Sequence, residues 1–254
     1  MSESGAAQGR DILLAPAVRE SANLPRYWEL KEHLLAFCEG NRAGTPIPAE
    51  RRLAEEFGIS RMTVRQAIQE LVVEGRLQRA QGRGTYVAPP KLTHVITLAS
   101  TTEAMRAQGV TASTRILSLQ TKKATRDVAH RLSLDPDAPV VVLERLRYAN
   151  SEVMALDYSY FESERFPGLV EKIESGRSVY EILASDYDAL PVRADELIEA
   201  TVASPRVAGL LDTETGAPLL LAQRQGFLAD GTPVEWSPTY YRSDRYRFLV
   251  HLGR

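Results

Sequence analysis

Residues 48–75, PAERRLAEEFGISRMTVRQAIQELVVEG, decide the fold of the first part of this chain. The segment from Ala49 to Phe57 predicts a short helix, which Gly58 interrupts. Ser60 is a suitable N-cap for a second helix that runs to about Glu74. Apolar residues recur along this second helix at the spacing of one buried face, namely Val64, Ala67, Ile68, Leu71 and Val72. The stretch therefore predicts two helices joined by a tight turn.

The sequence on either side completes a unit of three helices and a β-hairpin. Upstream, an apolar stripe at helical spacing predicts a helix that ends near Gly40; its members are Tyr27, Leu30, Leu34, Phe37 and Cys38. Downstream, residues 77–79 and 85–87 predict two short strands around the glycine-rich basic tip AQGRG. Three helices followed by such a wing are typical of a winged helix-turn-helix, whose third helix enters the major groove of DNA. We predict this domain at residues 24–88.

The polar face of the third helix carries side chains that can read bases. Arg61, Arg65 and Gln69 are spaced i, i+4 and i+8, beside Thr63 and Gln66. Arginine can bond guanine, and glutamine can bond adenine, through two hydrogen bonds each. A solvated helix face would have the same composition, so the helix alone leaves both interpretations open.

The wing favours the DNA-reading interpretation. Arg79 and Arg83 flank Gly82 and give a flexible basic finger that can approach a phosphate backbone or a minor groove. Residues 24–91 carry eleven basic against eight acidic groups, whereas residues 92–254 carry eighteen against twenty-two. A modest positive field on the first segment alone suits a polyanionic partner of that segment.

Composition bounds the remaining possibilities. The chain has 254 residues, 44% hydrophobic and 25% charged, which is the balance of a globular protein of two domains. No apolar run of about 18 residues and no secretion signal are visible, so we expect a cytoplasmic protein without a membrane partner. The single cysteine, Cys38, and four scattered histidines predict neither a disulfide nor a metal site, and no cofactor is indicated. Residues 1–23 predict a disordered tail.

The second part of the chain has a mixed α and β pattern. Pro89 and Pro90 mark a linker at residues 89–93, and a domain follows at residues 94–254. Strands are predicted at 94–99, 112–123, 140–150, 153–162, 191–202, 218–229 and 233–243, and helices at 101–108, 126–133, 164–175 and 178–187. Tight connections at Asn150–Glu152 and Asp230–Gly231 favour antiparallel hairpins. The fold class is therefore α+β in two domains, with a mainly antiparallel sheet in the second.

Strand parity points to a pocket in the second domain. Polar residues share one face of three strands: Arg145 and Arg147; Asp157 and Ser159; Glu235, Ser237, Thr239 and Tyr241. A sheet with one face in water would show the same pattern. However, two arginines beside carboxylates and aromatic rings suit an anionic polar ligand. Ser100 and Glu103 predict a capped helix N-terminus, which also favours an anion.

The residues of the first domain resemble a known family. The stretch from Pro48 to Glu55, the stretch from Ile59 to Ala67, and the wing from Gly82 to Val87 resemble the DNA-binding domain of GntR-family bacterial repressors. The resemblance implies that DNA contacts are made by Arg51, Arg61, Thr63, Arg65 and Gly82. The family often has Ser or Thr where this chain has Met62. We also predict a homodimer that binds a palindromic operator in double-stranded DNA. One recognition helix covers only a few base pairs, and two-fold protein symmetry is mirrored in two half-sites.

The second domain resembles the HutC group of this family, whose effector-binding UTRA domain has a chorismate-lyase-like fold. Segments at 100–109, 144–147, 178–180 and 233–246 are similar to those of N-acetylglucosamine-utilisation repressors. The resemblance implies a phosphate site and a sugar site; the phosphate contacts are Ser100, Thr102, Arg145, Arg147, Ser178 and Tyr180, and the sugar contacts are Asp157, Glu235 and Tyr241. Those relatives have Glu in place of Asp157.

These observations predict a ligand-responsive transcriptional repressor, not an enzyme, whose effector is glucosamine 6-phosphate or N-acetylglucosamine 6-phosphate. The predicted DNA contacts are Arg51, Arg61, Thr63, Arg65, Gln66, Gln69, Gly82 and Arg83. Two alternatives stay open. The arginines would also bind an unphosphorylated carboxylate such as urocanate, and the lyase-like fold allows an enzyme, although Asp157 and Glu235 lack a recognisable nucleophile and base.

Overall fold

The computed structural model describes residues 26–80, 84–98, 109–174 and 177–252. The predicted tail at 1–23 and the predicted helix at 101–108 lie outside these residues, as do four predicted contact residues. Those four are Gly82, Arg83, Ser100 and Thr102.

The N-terminal domain has the predicted three helices and hairpin. Its elements are α1 (Arg26–Gly40), α2 (Glu50–Phe57), α3 (Arg61–Val73), β1 (Leu77–Ala80) and β2 (Gly84–Val87). Ser60 is confirmed as the N-cap of α3, since its hydroxyl accepts a hydrogen bond from the Thr63 amide at 3.1 Å. Gly58 ends α2 in the left-handed conformation, with φ of +61°.

The core of this domain is formed by the apolar faces that the sequence predicts. Leu30 and Leu34 of α1 meet Leu53 of α2 and the buried face of α3 around Ile68. Each of these four side chains is at most 1% exposed. Because all three helices contribute, α3 is fixed on its apolar side and its polar side is left facing outward.

The C-terminal domain is built on one antiparallel sheet of six strands. Their order is β4-β5-β6-β9-β8-β7, and every neighbouring pair is antiparallel. The strands are β4 (Ala112–Lys123), β5 (Pro139–Ala149), β6 (Glu152–Glu162), β7 (Arg193–Val202), β8 (Pro218–Phe227) and β9 (Pro233–Arg242). The predicted hairpin at Asn150 is present, with φ of +48° at that residue.

Among the described residues of this domain, four helices and a small second sheet cover both faces of the large sheet. The helices are α4 (Arg126–Leu132), α5 (Leu169–Glu174), α6 (Val179–Tyr187) and α7 (Pro205–Leu211). The α5 and α6 helices pack on the face that carries Leu143 and Phe161, whereas α4 and α7 pack on the opposite face. Leu143 and Phe161 are both fully buried. The sheet is thus the middle layer of the domain.

Four features differ from the sequence prediction. The sequence prediction did not include helix α7 or the last strand, β10 (Tyr246–Leu249). Helix α5 begins at Leu169 and not at the predicted residue 164. The turn before α5 contains Gly168 with φ of +75°, which a helix cannot include. Strand β3 (Leu92–Val95) begins within the segment predicted as linker and pairs in parallel with β10. Together, β3 and β10 cover the end of the large sheet that α5 and α6 leave open.

Candidate functional site

The outward face of α3 and the first strand of the wing form an open groove. Its volume is about 360 Å³, and it is lined by Met62, Thr63, Arg65, Gln66, Gln69 and Arg79. Four of these six residues are among the predicted DNA contacts. The groove therefore places the side chains of α3 that are predicted to read bases next to a cation of the wing, Arg79.

Arg65 is held in an exposed ion pair within this groove. Its Nη2 donates to Glu50 Oε2 at 3.0 Å, and its Nε lies 3.3 Å from the same oxygen. The Glu50 carboxylate raises the pKa of Arg65, so this guanidinium keeps its positive charge. Its side chain is 56% exposed. A bidentate partner such as guanine or phosphate can replace Glu50 with little desolvation.

The other predicted DNA contacts that the structure describes occupy exposed or half-buried positions. Arg61 and Gln66 are exposed, Thr63 and Gln69 are half-buried, and Arg51 on α2 lies 3.6 Å from Glu55. The Thr63 hydroxyl is 2.9 Å from that of Ser60 at the N-terminus of α3, where amide groups favour a phosphate.

Met62 is a groove residue that the sequence prediction did not include. Its side chain is 68% exposed, which is unusual for a large apolar residue. It lines the groove beside Thr63. An apolar side chain at this position can contact the methyl group of thymine. The only sequence signal was the departure from the Ser or Thr that the family often has there.

The second site is a buried polar cluster on the face of the sheet covered by α5, α6 and β10. Asp157 accepts hydrogen bonds from Arg145 Nε at 2.7 Å and from Arg147 Nη2 at 2.6 Å. Its side chain is 5% exposed, and those of the two arginines are 12% and 11% exposed. Burial opposes the charge of Asp157, but the two guanidinium groups hold its pKa below the ordinary value. The carboxylate is therefore ionised and bridges both arginines.

Hydroxyl groups connect this bridge to a second carboxylate. Ser159 Oγ is 3.1 Å from Arg145 Nη2 and 3.4 Å from Ser237 Oγ. Ser237 in turn donates to Glu235. Tyr180, on the first turn of α6, donates to the other oxygen of Glu235 at 2.7 Å. Four predicted contacts on three strands, and Tyr180 on a helix, are thus part of one network.

The network continues into residues that the sequence prediction missed. Arg224 on β8 hydrogen-bonds the Tyr180 hydroxyl and forms an ion pair with Glu196 on β7 at 2.8 Å. Both side chains are almost buried, at 13% and 11% exposed. Burial lowers the pKa of Arg224, but the charge and hydrogen bond of Glu196, together with the contact to Tyr180, raise the pKa above the ordinary value. The pairing could be found only from the register of β7 with β8, which places these residues opposite each other.

Tyr241 and Ser178 border the cluster differently. Tyr241 is buried and stacks on Tyr246 of β10, with ring centroids 4.4 Å apart. Ser178 is exposed at the N-cap of α6, and its side chain makes no capping hydrogen bond.

The burial of these groups excludes one of the two interpretations of strand parity, that of a sheet face in water. Asp157, Ser159, Glu235, Ser237 and Thr239 are all less than 9% exposed, so this polar face is not in water. A buried carboxylate network lined by arginines can exchange its internal partners for the charged and hydroxyl groups of a polar ligand. A separate cavity of about 240 Å³ lies on the opposite face, between Lys122 and Tyr160.

The residues that the structure describes contain no cluster of three potential metal ligands. In the same part of the chain, no helix is both long and apolar enough to span a membrane.

A winged helix-turn-helix joined to an antiparallel domain with a buried polar site defines a class of protein, the ligand-binding transcriptional regulators. Comparison with known families agrees with this. Residues 38–87 match the model of bacterial regulatory proteins of the GntR family, and residues 107–247 match the UTRA domain. The chain belongs to the GntR family of transcriptional repressors and has a UTRA domain as its second domain.

Individual relatives extend over nearly the whole chain. The HTH-type transcriptional repressor NagR of Bacillus subtilis is 34% identical over 93% of this chain and 98% of its own length. The HTH-type transcriptional repressor PhnF of Mycolicibacterium smegmatis is 35% identical over 87% of this chain and 90% of its own. A crystal structure of PhnF from Mycobacterium smegmatis superposes with a TM-score of 0.64, at 32% identity, over 88% of this chain and 99% of that one.

Proposed function

We propose that this repressor binds a palindromic operator as a homodimer and that an amino-sugar phosphate, glucosamine 6-phosphate or N-acetylglucosamine 6-phosphate, controls its DNA affinity. The observation that carries the effector assignment is the buried bridge of Arg145 and Arg147 through Asp157, connected by hydroxyls to Glu235. Two adjacent guanidinium groups are suited to the oxygens of a phosphate. Glu235 and Asp157 can accept hydrogen bonds from sugar hydroxyls or an amine.

Binding must rearrange the bridge. A phosphate that approaches Arg145 and Arg147 competes with Asp157, whose carboxylate is then released toward the rest of the ligand. The exposed Ser178 at the start of α6 adds a hydroxyl and a helix N-terminus to the phosphate site. We place Tyr180 at the same end of α6, where its hydroxyl can pass from Glu235 to the ligand. Tyr241 completes the sugar side with an aromatic face.

A second effector class is favoured by the charge of the bridge. While Asp157 stays in place, two arginines and one carboxylate leave one positive charge, which a monoanionic carboxylate such as urocanate would balance, whereas a phosphate dianion requires that Asp157 is displaced. The test must therefore compare ligands with and without the phosphate.

The experiment is a titration of operator affinity. An operator is first selected from a random DNA library with the purified chain. Its affinity is then measured against glucosamine 6-phosphate, N-acetylglucosamine 6-phosphate, their unphosphorylated sugars and urocanate. We expect a response to a sugar phosphate at a concentration at which the matching sugar has no effect. A response to urocanate alone would transfer the assignment to the carboxylate class.

A pair of variants locates the response. Arg147→Ala should remove the response and leave ligand-free operator affinity nearly unchanged, because Arg147 lies in the buried cluster and not in the groove. Arg115→Ala is the control, since Arg115 is an exposed arginine of the neighbouring strand β4. If Arg147→Ala responds to the effector with the same titration midpoint as the wild type, the effector binds elsewhere. Sedimentation equilibrium and footprinting test the dimer and the two half-sites.

A further inference from the structure

The two domains touch at one corner, where α3 ends. Gly75 follows α3 and lies against Asp244, in the turn between β9 and β10. A Cβ added to Gly75 would lie 2.0 Å from the carbonyl oxygen of Asp244. Its φ is +69°, and the residue is buried. Gly75 is thus required twice, by its own backbone conformation and by the close approach of the other domain.

Two side chains extend this contact. Arg245 Nη2 donates to the side-chain oxygen of Gln78 on β1 at 2.8 Å. Lys91, after the two linker prolines, donates to the carbonyl oxygen of Ser243 at 2.7 Å. Arg245 is 7% exposed, and burial lowers the pKa of Lys91. We call this set of residues the latch: Gly75, Gln78, Lys91 and the turn Ser243–Arg245.

On one side, the latch is continuous with the buried polar cluster. The turn Ser243–Arg245 follows β9, the strand of Glu235, Ser237 and Tyr241. Arg245 Nε also lies 3.4 Å from Glu152, the first residue of β6, which carries Asp157. A ligand that displaces the side chains of β6 and β9 therefore acts on both strands that hold the turn.

On the other side, the latch reaches the groove. Gln78 and Arg79 are neighbours on β1, so their side chains point to opposite faces of the wing. Arg79 lines the groove with α3, whereas Gln78 contacts Arg245. A small shift of the turn Ser243–Arg245 must therefore also move Gly75, at the C-terminal end of α3, or Gln78, on strand β1 of the wing.

We propose that the turn Ser243–Arg245 is an intramolecular docking surface for the winged helix, and that the effector changes operator affinity by strengthening or releasing this contact. The regulatory half of this proposal rests on the proposed function. The docking half does not, because it concerns the ligand-free protein.

The test is Gly75→Ala, with Gly44→Ala as the matched control. Both glycines have positive φ, +69° and +85°, so alanine strains the backbone at both. Nothing lies within 4 Å of a Cβ at Gly44, whereas at Gly75 it would collide with Asp244. The difference between the two variants therefore reports the interdomain contact alone.

The first readout is tryptic cleavage after Lys91, followed by mass spectrometry of the full-length chain. In the wild type, the Lys91 side chain is engaged with Ser243. We expect cleavage there to be several-fold faster in Gly75→Ala than in Gly44→Ala, because a released linker opens more often. Equal rates in the two variants overturn the docking surface.

The second readout is the ratio of operator affinities with and without glucosamine 6-phosphate. Effectors commonly change the affinity at a second site by about 5- to 150-fold. We expect the affinity ratio of Gly75→Ala to be close to one and that of Gly44→Ala to equal the wild-type ratio. Gln78→Ala removes one hydrogen bond of the latch and should reduce the ratio less. An unchanged ratio in Gly75→Ala, despite faster cleavage, overturns the regulatory half. If the wild type responds to no ligand, the proposed function fails, and the cleavage rates alone decide the docking surface.

Discussion

Arginines serve both sites of this protein, but their surroundings are opposite. Arg65 in the groove is 56% exposed and faces a half-buried Glu50, whereas Arg147 is 11% exposed and faces an Asp157 that is 5% exposed. The exposed pair is screened by water and exchanges partners at little cost. The buried pair has given up its hydration and depends on its partner for compensation. The first arrangement suits a ligand of high charge density that is met at the surface, and the second suits discrimination among small molecules.

The difference also separates the roles of the two carboxylates. Glu50 neutralises Arg65, which by our proposal exchanges this partner for a group of the operator. Asp157 is part of the packing of its domain, so a ligand that displaces it must replace its hydrogen bonds as well as its charge. For the proposed effector site, this requirement predicts selectivity, because a ligand that left one buried arginine unpaired would bind weakly.

The largest expected effect is that of Asp157→Asn on the stability of the UTRA domain. The substitution removes the charge that compensates Arg145 and Arg147, and breaking a buried pair in this way costs about 3–5 kcal/mol. The chain has two tryptophans, one in each domain: Trp28 in α1 and Trp236 in β9. Urea unfolding followed by Trp236 fluorescence in a Trp28→Phe background measures the effect. If Asp157→Asn lowers the free energy of unfolding no more than Glu50→Gln does, the buried and the exposed ion pair do not differ in their contribution to stability.

The pH dependence of the same measurement provides its control. The pKa of Asp157 in the folded protein lies below the ordinary value of about 3.9, because the two arginines outweigh the effect of burial. Its stabilising contribution is therefore complete above that value and is lost as the pH falls through the folded pKa. The difference in the free energy of unfolding between the wild type and Asp157→Asn should therefore become smaller only in strong acid.

The next effect in size is on operator affinity. Arg65→Ala should weaken binding roughly 5- to 150-fold and relax base choice at one position of each half-site, if the contact is to guanine. Arg65→Lys keeps the charge but loses the bidentate geometry. Affinity, base preference and salt dependence are measured for both. If Arg65→Lys has the operator affinity and base preference of the wild type, Arg65 contacts a phosphate and does not contact a base.

A smaller effect is expected from His94, which is buried at 2% exposure and lies within 2.6 Å of the Tyr246 hydroxyl. Burial, reinforced by Arg224, lowers its pKa below the ordinary value. The unfolded chain therefore binds a proton at higher pH than the folded one, and stability declines as the pH falls below about 6.5. His94→Asn should flatten this decline in Trp236-monitored melting at about pH 5 to 7. Parallel curves for the two proteins would show that other groups cause the decline.

The smallest effect is that of Glu50→Gln on DNA binding. The variant releases Arg65 and removes a negative charge from the groove, so operator affinity should rise by up to about fivefold in low salt and by less in high salt. Stability should not change measurably. A loss of affinity would show that Glu50 orients Arg65 for DNA and does not compete with it.

The sequence predicts those elements whose signals are local. The cap at Ser60, the break at Gly58 and the period of α3 are each determined within a few residues, and the structure confirms them. The polar parity of β9 is also confirmed. Its burial was not predictable from parity, because it depends on α6, which is far from β9 in the sequence, and on the pairing of β10 with the distant β3.

The missed features have weak or distant signals. Helix α7 has a capping serine, Ser204, and a proline at its first turn, but its seven residues are too few to show a period. The pair of Arg224 with Glu196 depends on strand register. The parallel pairing of β3 with β10 joins residues about 150 positions apart, which no local pattern can indicate.

That pairing has a consequence for where the UTRA domain can be cut. The strand by which the chain enters the domain, β3, lies beside β10, the last strand described, from Leu92 opposite Tyr246 to Val95 opposite Leu249. A fragment that begins after Val95 would leave β10 with an unpaired edge, which promotes aggregation. A fragment that begins before Leu92 retains both strands. Leu92, where β3 begins, then lies about 10 Å from Leu249, where β10 ends, since strands advance about 3.3 Å per residue. A short peptide can bridge that distance, so the domain is suited to circular permutation and to transfer onto other DNA-reading modules.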